Sequence, residues 1–106
     1  MREIESHEEF VDLLSEVGEG LVVVDFYATW CGPCKIIGPK FVKMQEDFPN
    51  ATLVKIDVEA NEETAEEYEI ESMPHFLMFL NGEKVDEMIG SNAVKLKETI
   101  EKHYTK

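Results

Sequence analysis

The chain has 106 residues, 43% hydrophobic and 31% charged, so it is long enough for one core, and residues 1–106 are predicted to form a single domain. Its formal net charge of −13 at pH 7 argues against nucleic acid and anionic membrane surfaces as partners, because both require clustered Lys and Arg. No apolar stretch reaches the length of a membrane span, and no signal-peptide pattern is visible at the N-terminus. A soluble, cytoplasmic protein is therefore expected.

The first predicted element is a helix that begins with a capping box running from Ser6 to Glu9. Apolar residues then recur at helical spacing along one face, namely Phe10, Leu13, Leu14 and Val17. Gly18 and Gly20 are expected to end this helix. Residues 21–27 are β-branched and aromatic on both faces, which predicts a central strand buried on both sides.

A second helix is predicted after residue 31, with apolar side chains at Ile37, Phe41, Met44 and Phe48. Pro39 falls inside this helix and is expected to kink it, because proline lacks the N–H donor and crowds the preceding turn. Pro49-Asn50 is expected to stop the helix. Residues 52–58 then predict a second strand, with apolar residues on both sides of Lys55.

The C-terminal half predicts one short helix, two strands and a closing helix. Asn61 can cap a short acidic helix that runs through Tyr68, and residues 76–80 form an apolar strand. Asn81-Gly82 is a hairpin signal that joins this strand to another near residues 84–89, and residues 92–104 predict the last helix. The resulting order β-α-β-α-β-α-β-β-α implies an α/β fold with a mixed sheet and helices on both faces.

Both cysteines of the chain lie in one motif, Trp30-Cys31-Gly32-Pro33-Cys34. A C-x-x-C between a strand and a helix is typical of a dithiol redox site. Cys31 is expected at the positive end of the helix, where free N–H groups lower a thiol pKa, and Pro33 suits the first turn. Gly32 keeps the surface beside the sulfur low, so that a partner backbone can approach. We predict that Cys31 attacks a substrate disulfide and that Cys34, which is expected to be less exposed, resolves the mixed disulfide.

Zinc binding is the main alternative for a C-x-x-C motif. A structural zinc site usually needs four ligands, whereas this chain has two cysteines, and its histidines lie on separate predicted elements without H-x₃₋₅-H spacing. An inert structural pair is the second alternative, although neither glycine nor proline between the cysteines helps a core. We therefore predict no metal site.

Asp25 is a carboxylate inside an otherwise apolar strand. If it is buried, it is either paired or protonated with a raised pKa, and it becomes a candidate proton acceptor for Cys34. The alternative is an aspartate at a strand edge or on the surface. Lys55, also inside an apolar strand, is either the partner of Asp25 or a side chain that merely faces solvent.

Pro74 is expected at the first residues of its strand, where a cis peptide bond is one option.

Residues 22–35 resemble the thioredoxin family in the run Val-Val-Val-Asp-Phe-Tyr-Ala-Thr-Trp-Cys-Gly-Pro-Cys-Lys. The resemblance covers the whole chain, with further matches at Pro39, Lys55-Ile56-Asp57, Met73-Pro74, Asn81-Gly82 and Gly90. It implies the thioredoxin fold, a central mixed sheet of four or five strands flanked by four helices.

The resemblance also implies a function, that of a general protein-disulfide reductant. Cys31 becomes the nucleophile, Cys34 the resolving thiol, Asp25 the buried proton acceptor and Lys55 its neighbour. The Cys31–Cys34 disulfide is then the only redox-active group, and no separate cofactor is expected. The implied partners are an NADPH-dependent thioredoxin reductase and disulfide-containing proteins such as peroxiredoxins or ribonucleotide reductase. The chain is expected to be a monomeric redox carrier, and whether it should be classed as an enzyme stays open.

The same resemblance implies a substrate groove formed by Trp30, Gly32, Pro33, Met73, Pro74, His75 and Gly90, with a cis bond before Pro74. Two residues depart from the family pattern. His75 stands where threonine is usual, and its ring either lies at the rim of the cysteine site, where a charge favours the Cys31 thiolate, or is solvated and indifferent. Tyr27 replaces an aromatic that is often Trp or Phe, which should be tolerated.

Two other function classes stay open at this point. The chain could be a binding module in which redox turnover is incidental. Partner binding by a variant that lacks both thiols would support this hypothesis. An oxidase or isomerase of the secretory pathway is the third option, and both the Gly-Pro dipeptide and the absence of a visible signal speak against it.

Overall fold

Within residues 1–105, which the computed structural model describes, five strands and four helices follow one another in the implied order. The strands are β1 (Arg2–Glu3), β2 (Val22–Tyr27), β3 (Thr52–Asp57), β4 (His75–Leu80) and β5 (Glu83–Ile89). The helices are α1 (His7–Val17), α2 (Gly32–Asp47), α3 (Glu62–Glu67) and α4 (Ala93–His103). No helix in this part of the chain combines the length and apolarity needed to cross a bilayer.

The strands form one mixed sheet in the order β1-β3-β2-β4-β5. Strand β3 runs parallel to both β1 and β2, whereas β4 is antiparallel to β2 and β5. The predicted central position of β2 is confirmed, because its residues 22–26 are paired on both sides and are all buried. In this register Asp25 lies beside Lys55 of β3 and Phe76 of β4.

Helices cover both faces of the sheet, as the element order predicts. On one face, α2 and α4 pack on a core that includes Val23, Ile37, Phe41, Phe76, Leu96 and Ile100. On the other, α1 and α3 pack on a core that includes Phe10, Val24, Phe26, Leu77 and Phe79. Alternate residues of β2 and β4 belong to opposite cores because successive side chains of a strand point to opposite faces. Asp25 therefore lies on the face that α2 covers.

The element ends show where local sequence signals act as expected. Ser6 Oγ accepts the Glu9 N–H at 3.1 Å, which confirms the cap of α1, although Glu9 Oε1 accepts the Glu5 N–H rather than that of Ser6. Asn81 and Gly82 both have positive φ angles, 53° and 79°, as a tight hairpin between β4 and β5 requires. Helix α2 continues through Pro39 to Asp47.

Strands β2, β3 and β5 lie within one residue of their predicted bounds, and β1 and β4 add two further differences from the sequence prediction. The first strand, which the element order implies without locating it, consists of Arg2–Glu3 and pairs with β3. Strand β4 begins at His75, one residue earlier than predicted, because His75 pairs with Phe26 of β2 and Ile89 of β5.

Candidate active site

Cys31 and Cys34 form a disulfide at the N-terminus of α2, with their Cα atoms 5.3 Å apart. Cys31 is the N-cap residue, and its Sγ accepts the backbone N–H of Cys34 at 3.2 Å. This contact confirms that the first free N–H groups of the helix point at the Cys31 sulfur. Gly32 and Pro33, in the first turn, are exposed on the solvent side of the disulfide. Both cysteines are buried to nearly the same degree in this oxidised state, so the expected difference in exposure is small.

Asp25 is buried in β2 with only 4% of its surface exposed. Among residues 1–105, no hydrogen-bond donor reaches its Oδ1 atom. Burial raises the pKa of the Asp25 carboxyl to about 7, while the charge of Lys55 acts in the opposite direction. A surface position for Asp25, the alternative left open by the sequence, is therefore wrong.

A cleft of about 480 Å³ connects Asp25 with Cys34. It lies between β2 and the first half of α2, and its other lining residues include Tyr27, Pro39 and Lys55. The two residues that a proton transfer requires, Cys34 and Asp25, thus line the same space. Strand β2 places Asp25 there, and the helix that follows it places Cys34.

Lys55 lies beside Asp25 in the sheet register, but its ammonium group points to a different carboxylate. Lys55 Nζ is 3.9 Å from Glu3 Oε1 and 5.7 Å from the centre of the Tyr27 ring. In the part of the chain that the structure describes, no ion pair within 4.0 Å joins Lys55 to Asp25. The predicted neighbourhood is confirmed, whereas a direct Asp25–Lys55 ion pair is not formed.

Two of the residues expected to form a groove, Trp30 and Met73, adjoin the disulfide. Trp30 is 66% exposed, and its indole N–H donates to Glu59 Oε1 at 3.1 Å. Met73 packs against the small cluster that contains both cysteines, and the Met73–Pro74 peptide bond is cis. Gly90 donates its N–H to the Pro74 carbonyl at 2.9 Å. With a φ of 108°, Gly90 adopts a backbone conformation that residues with side chains rarely reach.

His75 is buried rather than solvated, with 6% of its surface exposed. Its Nε2 atom lies 2.8 Å from Glu87 Oε1, and within residues 1–105 its Nδ1 atom has no hydrogen-bond partner. The hydrogen bond with His75 holds the pKa of the Glu87 carboxyl below its ordinary value. The solvated alternative for His75 is therefore wrong, and Glu87 is the group that its ring contacts.

Three acidic residues near the site, Glu3, Glu59 and Glu87, were missed by the sequence reasoning. Each contacts a site residue through the sheet or through a loop, at a sequence separation of 12 or more residues. Glutamates are common in this chain, and periodicity does not distinguish these three from the solvated ones. Strand pairing identifies Glu3 and Glu87, and the loop that follows β3 brings Glu59 to Trp30.

Comparison with known proteins agrees with this geometry. The thioredoxin family model matches residues 2–102. The chain is 46% identical to horse (Equus caballus) thioredoxin over 100 residues, which cover 94% of this chain and 95% of the relative. The chain belongs to the thioredoxin family. With its Cys31–Cys34 pair, this family member is a dithiol disulfide reductase.

Solved thioredoxin structures show the same architecture. The structure of Fasciola hepatica thioredoxin superposes with a TM-score of 0.95 at 40% identity, covering 97% of this chain and 99% of that one. A second similar structure concerns the thiol resolving mechanism in yeast mitochondrial 1-Cys peroxiredoxin via glutathione/thioredoxin systems. It has a TM-score of 0.89 at 32% identity and covers 96% of this chain and 94% of that one.

Proposed function

We propose that Cys31 is the nucleophile, Cys34 the resolving thiol and Asp25 the proton acceptor of a protein-disulfide reductase cycle. One observation carries this assignment: Cys34, which is bonded to the N-cap residue Cys31, and the buried Asp25 line one cleft. The position of Cys31 at the helix N-cap favours its thiolate, because free N–H groups and the helix dipole stabilise negative charge there.

The cycle transfers two electrons and two protons to the substrate disulfide. The Cys31 thiolate attacks one substrate sulfur, the substrate S–S bond breaks, and the other substrate sulfur leaves and takes a proton. Cys34 then gives its proton to Asp25, and its thiolate attacks the Cys31 sulfur. The mixed disulfide breaks, the second substrate sulfur leaves and takes up a proton, and the Cys31–Cys34 disulfide remains. An Asp25 pKa of about 7 suits this exchange, since a general base works best when its pKa is near the ambient pH.

The residues around the disulfide are proposed to hold an extended segment of the substrate. Exposed Trp30 supplies apolar surface on one side, and Gly32 and Pro33 leave the approach to the Cys31 sulfur open. The remaining groove residues are Met73, Pro74, His75 and Gly90. The hydrogen bond between Gly90 and Pro74 supports this assignment, because it ties two of the groove segments together.

We further propose that an NADPH-dependent thioredoxin reductase returns the two electrons to the Cys31–Cys34 disulfide, so that no other cofactor is needed. Peroxiredoxins are one proposed substrate class, since a similar structure concerns resolution of a 1-Cys peroxiredoxin by glutathione/thioredoxin systems. Ribonucleotide reductase is another. A monomer in a reducing compartment such as the cytoplasm fits a protein that donates electrons to disulfides, because thiols stay reduced there.

The two cysteines can be tested with a matched pair of serine variants in an insulin-reduction assay with dithiothreitol. Cys31→Ser is expected to abolish the protein-dependent rate, because no nucleophile remains. Cys34→Ser is also expected to be inactive, but when its reduced form is mixed with insulin without dithiothreitol, it should accumulate a mixed disulfide through Cys31, detected as an added mass that dithiothreitol removes. Turnover by Cys31→Ser, or mixed disulfides in that variant only, would overturn the assigned roles.

A further inference from the structure

Three charged residues form a row across the face of the sheet that α2 covers. Glu3 of β1 is in register with Lys55 of β3, and Lys55 is in register with Asp25 of β2. Residues in register on neighbouring strands project to the same face, about 4.8 Å apart from strand to strand. Lys55 therefore has one carboxylate on each side, and the two compete for its ammonium group.

The outer carboxylate, Glu3, is held in place by Tyr27. The Tyr27 hydroxyl donates to Glu3 Oε2 at 2.6 Å, which leaves Glu3 Oε1 for Lys55 Nζ at 3.9 Å. Burial and this hydrogen bond raise the pKa of Tyr27, so the phenol stays protonated and remains a donor across the working pH range. The Lys55 ammonium also lies 5.7 Å from the centre of the Tyr27 ring, within the range of a cation–π contact. The ammonium group thus contacts Glu3 and the Tyr27 ring, and the Tyr27 hydroxyl fixes the Glu3 carboxylate that it contacts.

The inner carboxylate, Asp25, has no such fixed partner. No donor within residues 1–105 reaches its Oδ1 atom, and Lys55 is the positive charge whose field favours its ionised form. Several titratable or charged groups from β1, β2, β3 and α2 face the space around Asp25: Glu3, Tyr27, Lys55, Asp57, Cys34 and Lys35. Of these, only Glu3 and Tyr27 bind the Lys55 side chain directly in the described part of the chain.

We propose that Glu3 and Tyr27 are positioning residues that hold the Lys55 ammonium off Asp25, and so keep the Asp25 carboxyl able to bind a proton from Cys34. If the ammonium group moved onto Asp25, it would stabilise the carboxylate and make it a weaker base. Glu3 also neutralises part of the Lys55 charge that Asp25 experiences. The consequence for catalysis rests on the proposed role of Asp25, whereas the effect on Asp25 itself does not.

The direct test is an NMR titration of the Asp25 carboxyl carbon in the oxidised protein, which needs no turnover. Glu3→Gln is expected to lower the Asp25 pKa by about half a unit, because the offsetting negative charge is lost about two strands away. Tyr27→Phe should also lower the Asp25 pKa, since Glu3 loses the hydrogen bond from the Tyr27 hydroxyl. Glu5→Gln removes the same charge from an exposed neighbour and is the matched control, expected to leave the Asp25 titration unchanged.

A variant without Lys55 separates two effects of Glu3 on Asp25. One is competition for the Lys55 ammonium group, and the other is direct repulsion between the two carboxylates. Lys55→Met alone should raise the Asp25 pKa. Adding Glu3→Gln to Lys55→Met should change the pKa by clearly less than Glu3→Gln does in the wild type. Equal effects in both backgrounds, or equal titrations for Glu3→Gln and Glu5→Gln, would overturn the inference.

Turnover then distinguishes this inference from the proposed function. In insulin reduction measured against pH, Glu3→Gln should move the acidic midpoint to lower pH by the same amount as the Asp25 pKa. If the Asp25 pKa moves and the midpoint does not, the positioning of Lys55 by Glu3 and Tyr27 stands, and the role of Asp25 as proton acceptor is overturned.

Discussion

At the residue scale, Asp25 is a carboxyl group in an apolar and buried environment. Its neighbours along β2 are valine and phenylalanine, and the strands on both sides bury it. An ionised carboxyl in this position loses its hydration without gaining a hydrogen bond at Oδ1 from any described residue, so the neutral form is favoured. Once ionised, such a carboxylate takes up a proton readily, which is what the release of the Cys34 proton requires.

His75 gives a prediction at the same scale. A positive charge on the His75 imidazole would favour the Cys31 thiolate, and the Glu87 carboxylate, whose Oε1 lies 2.8 Å from Nε2, would offset part of that charge. We expect His75→Thr to raise the pKa of the Cys31 thiol by about half a unit. The measurement is the pH dependence of thiolate absorbance in the reduced Cys34→Ser background, in which Cys31 is the sole thiol.

Glu87→Gln is the matched variant for His75, because it removes the offsetting charge and keeps the shape of the side chain. It should lower the pKa of the Cys31 thiol, which is the opposite of the effect expected for His75→Thr. Superimposable curves for the wild type and His75→Thr would show that His75 does not influence the nucleophile.

At the scale of elements, the start of α2 combines structure and chemistry. Cys31 occupies a position where serine, threonine, aspartate or asparagine usually supplies the capping oxygen, and its sulfur accepts the Cys34 N–H instead. The other long helices have conventional caps, Ser6 for α1 and Asn92 for α4. The Cys31 sulfur thus has two roles, as the reactive atom and as the capping acceptor at the N-terminus of α2.

The cap of α1 allows a quantitative test. Ser6→Ala removes the acceptor for the Glu9 N–H and should lower the free energy of unfolding by about 1 kcal/mol. Ser15→Ala, on an exposed position of the same helix, is the control and should change it by less than about 0.5 kcal/mol. Urea unfolding followed by circular dichroism measures both, and equal effects would mean that the Ser6 cap contributes nothing specific.

For the whole molecule, the buried Asp25 makes stability depend on pH. The folded state raises the Asp25 pKa from 3.8 to about 7, so it binds this proton more tightly than the unfolded state does. The contribution of Asp25 to stability is therefore fully present below about pH 4, falls as the pH rises to about 7, and stays constant above that. A shift of this size corresponds to a destabilisation on the order of 4 kcal/mol at pH 8.

Asp25→Asn should remove this cost, so the oxidised variant is expected to be more stable than the wild type at pH 8 by on the order of 4 kcal/mol. The difference should shrink as the pH falls from 7 to 4, as measured by urea unfolding at each pH. Asp12→Asn removes the same charge from an exposed position of α1 and is the control. A constant difference between Asp25→Asn and wild type across this range would contradict a raised Asp25 pKa.

Much of the architecture can be predicted from local patterns. The stripe of Phe10 and Leu13, the apolar run of β2 and the Asn81-Gly82 turn each depend on neighbours within a few residues, and each appears as predicted. Strand β1 could not be located because two residues carry no periodicity, and it forms only by pairing with β3.

The Cys-Gly-Pro-Cys motif of residues 31–34 was determined by the sequence alone, and so were its place between a strand and a helix and the presence of a carboxylate in the preceding strand. These features are local, because a thiol pair three residues apart and a strand–helix junction need no distant partner. Only the tertiary structure decided that Lys55 pairs with Glu3 instead of Asp25, and that the His75 ring contacts Glu87. Those choices depend on strand register and burial, which bring together residues far apart in the chain and set the charge around each buried group.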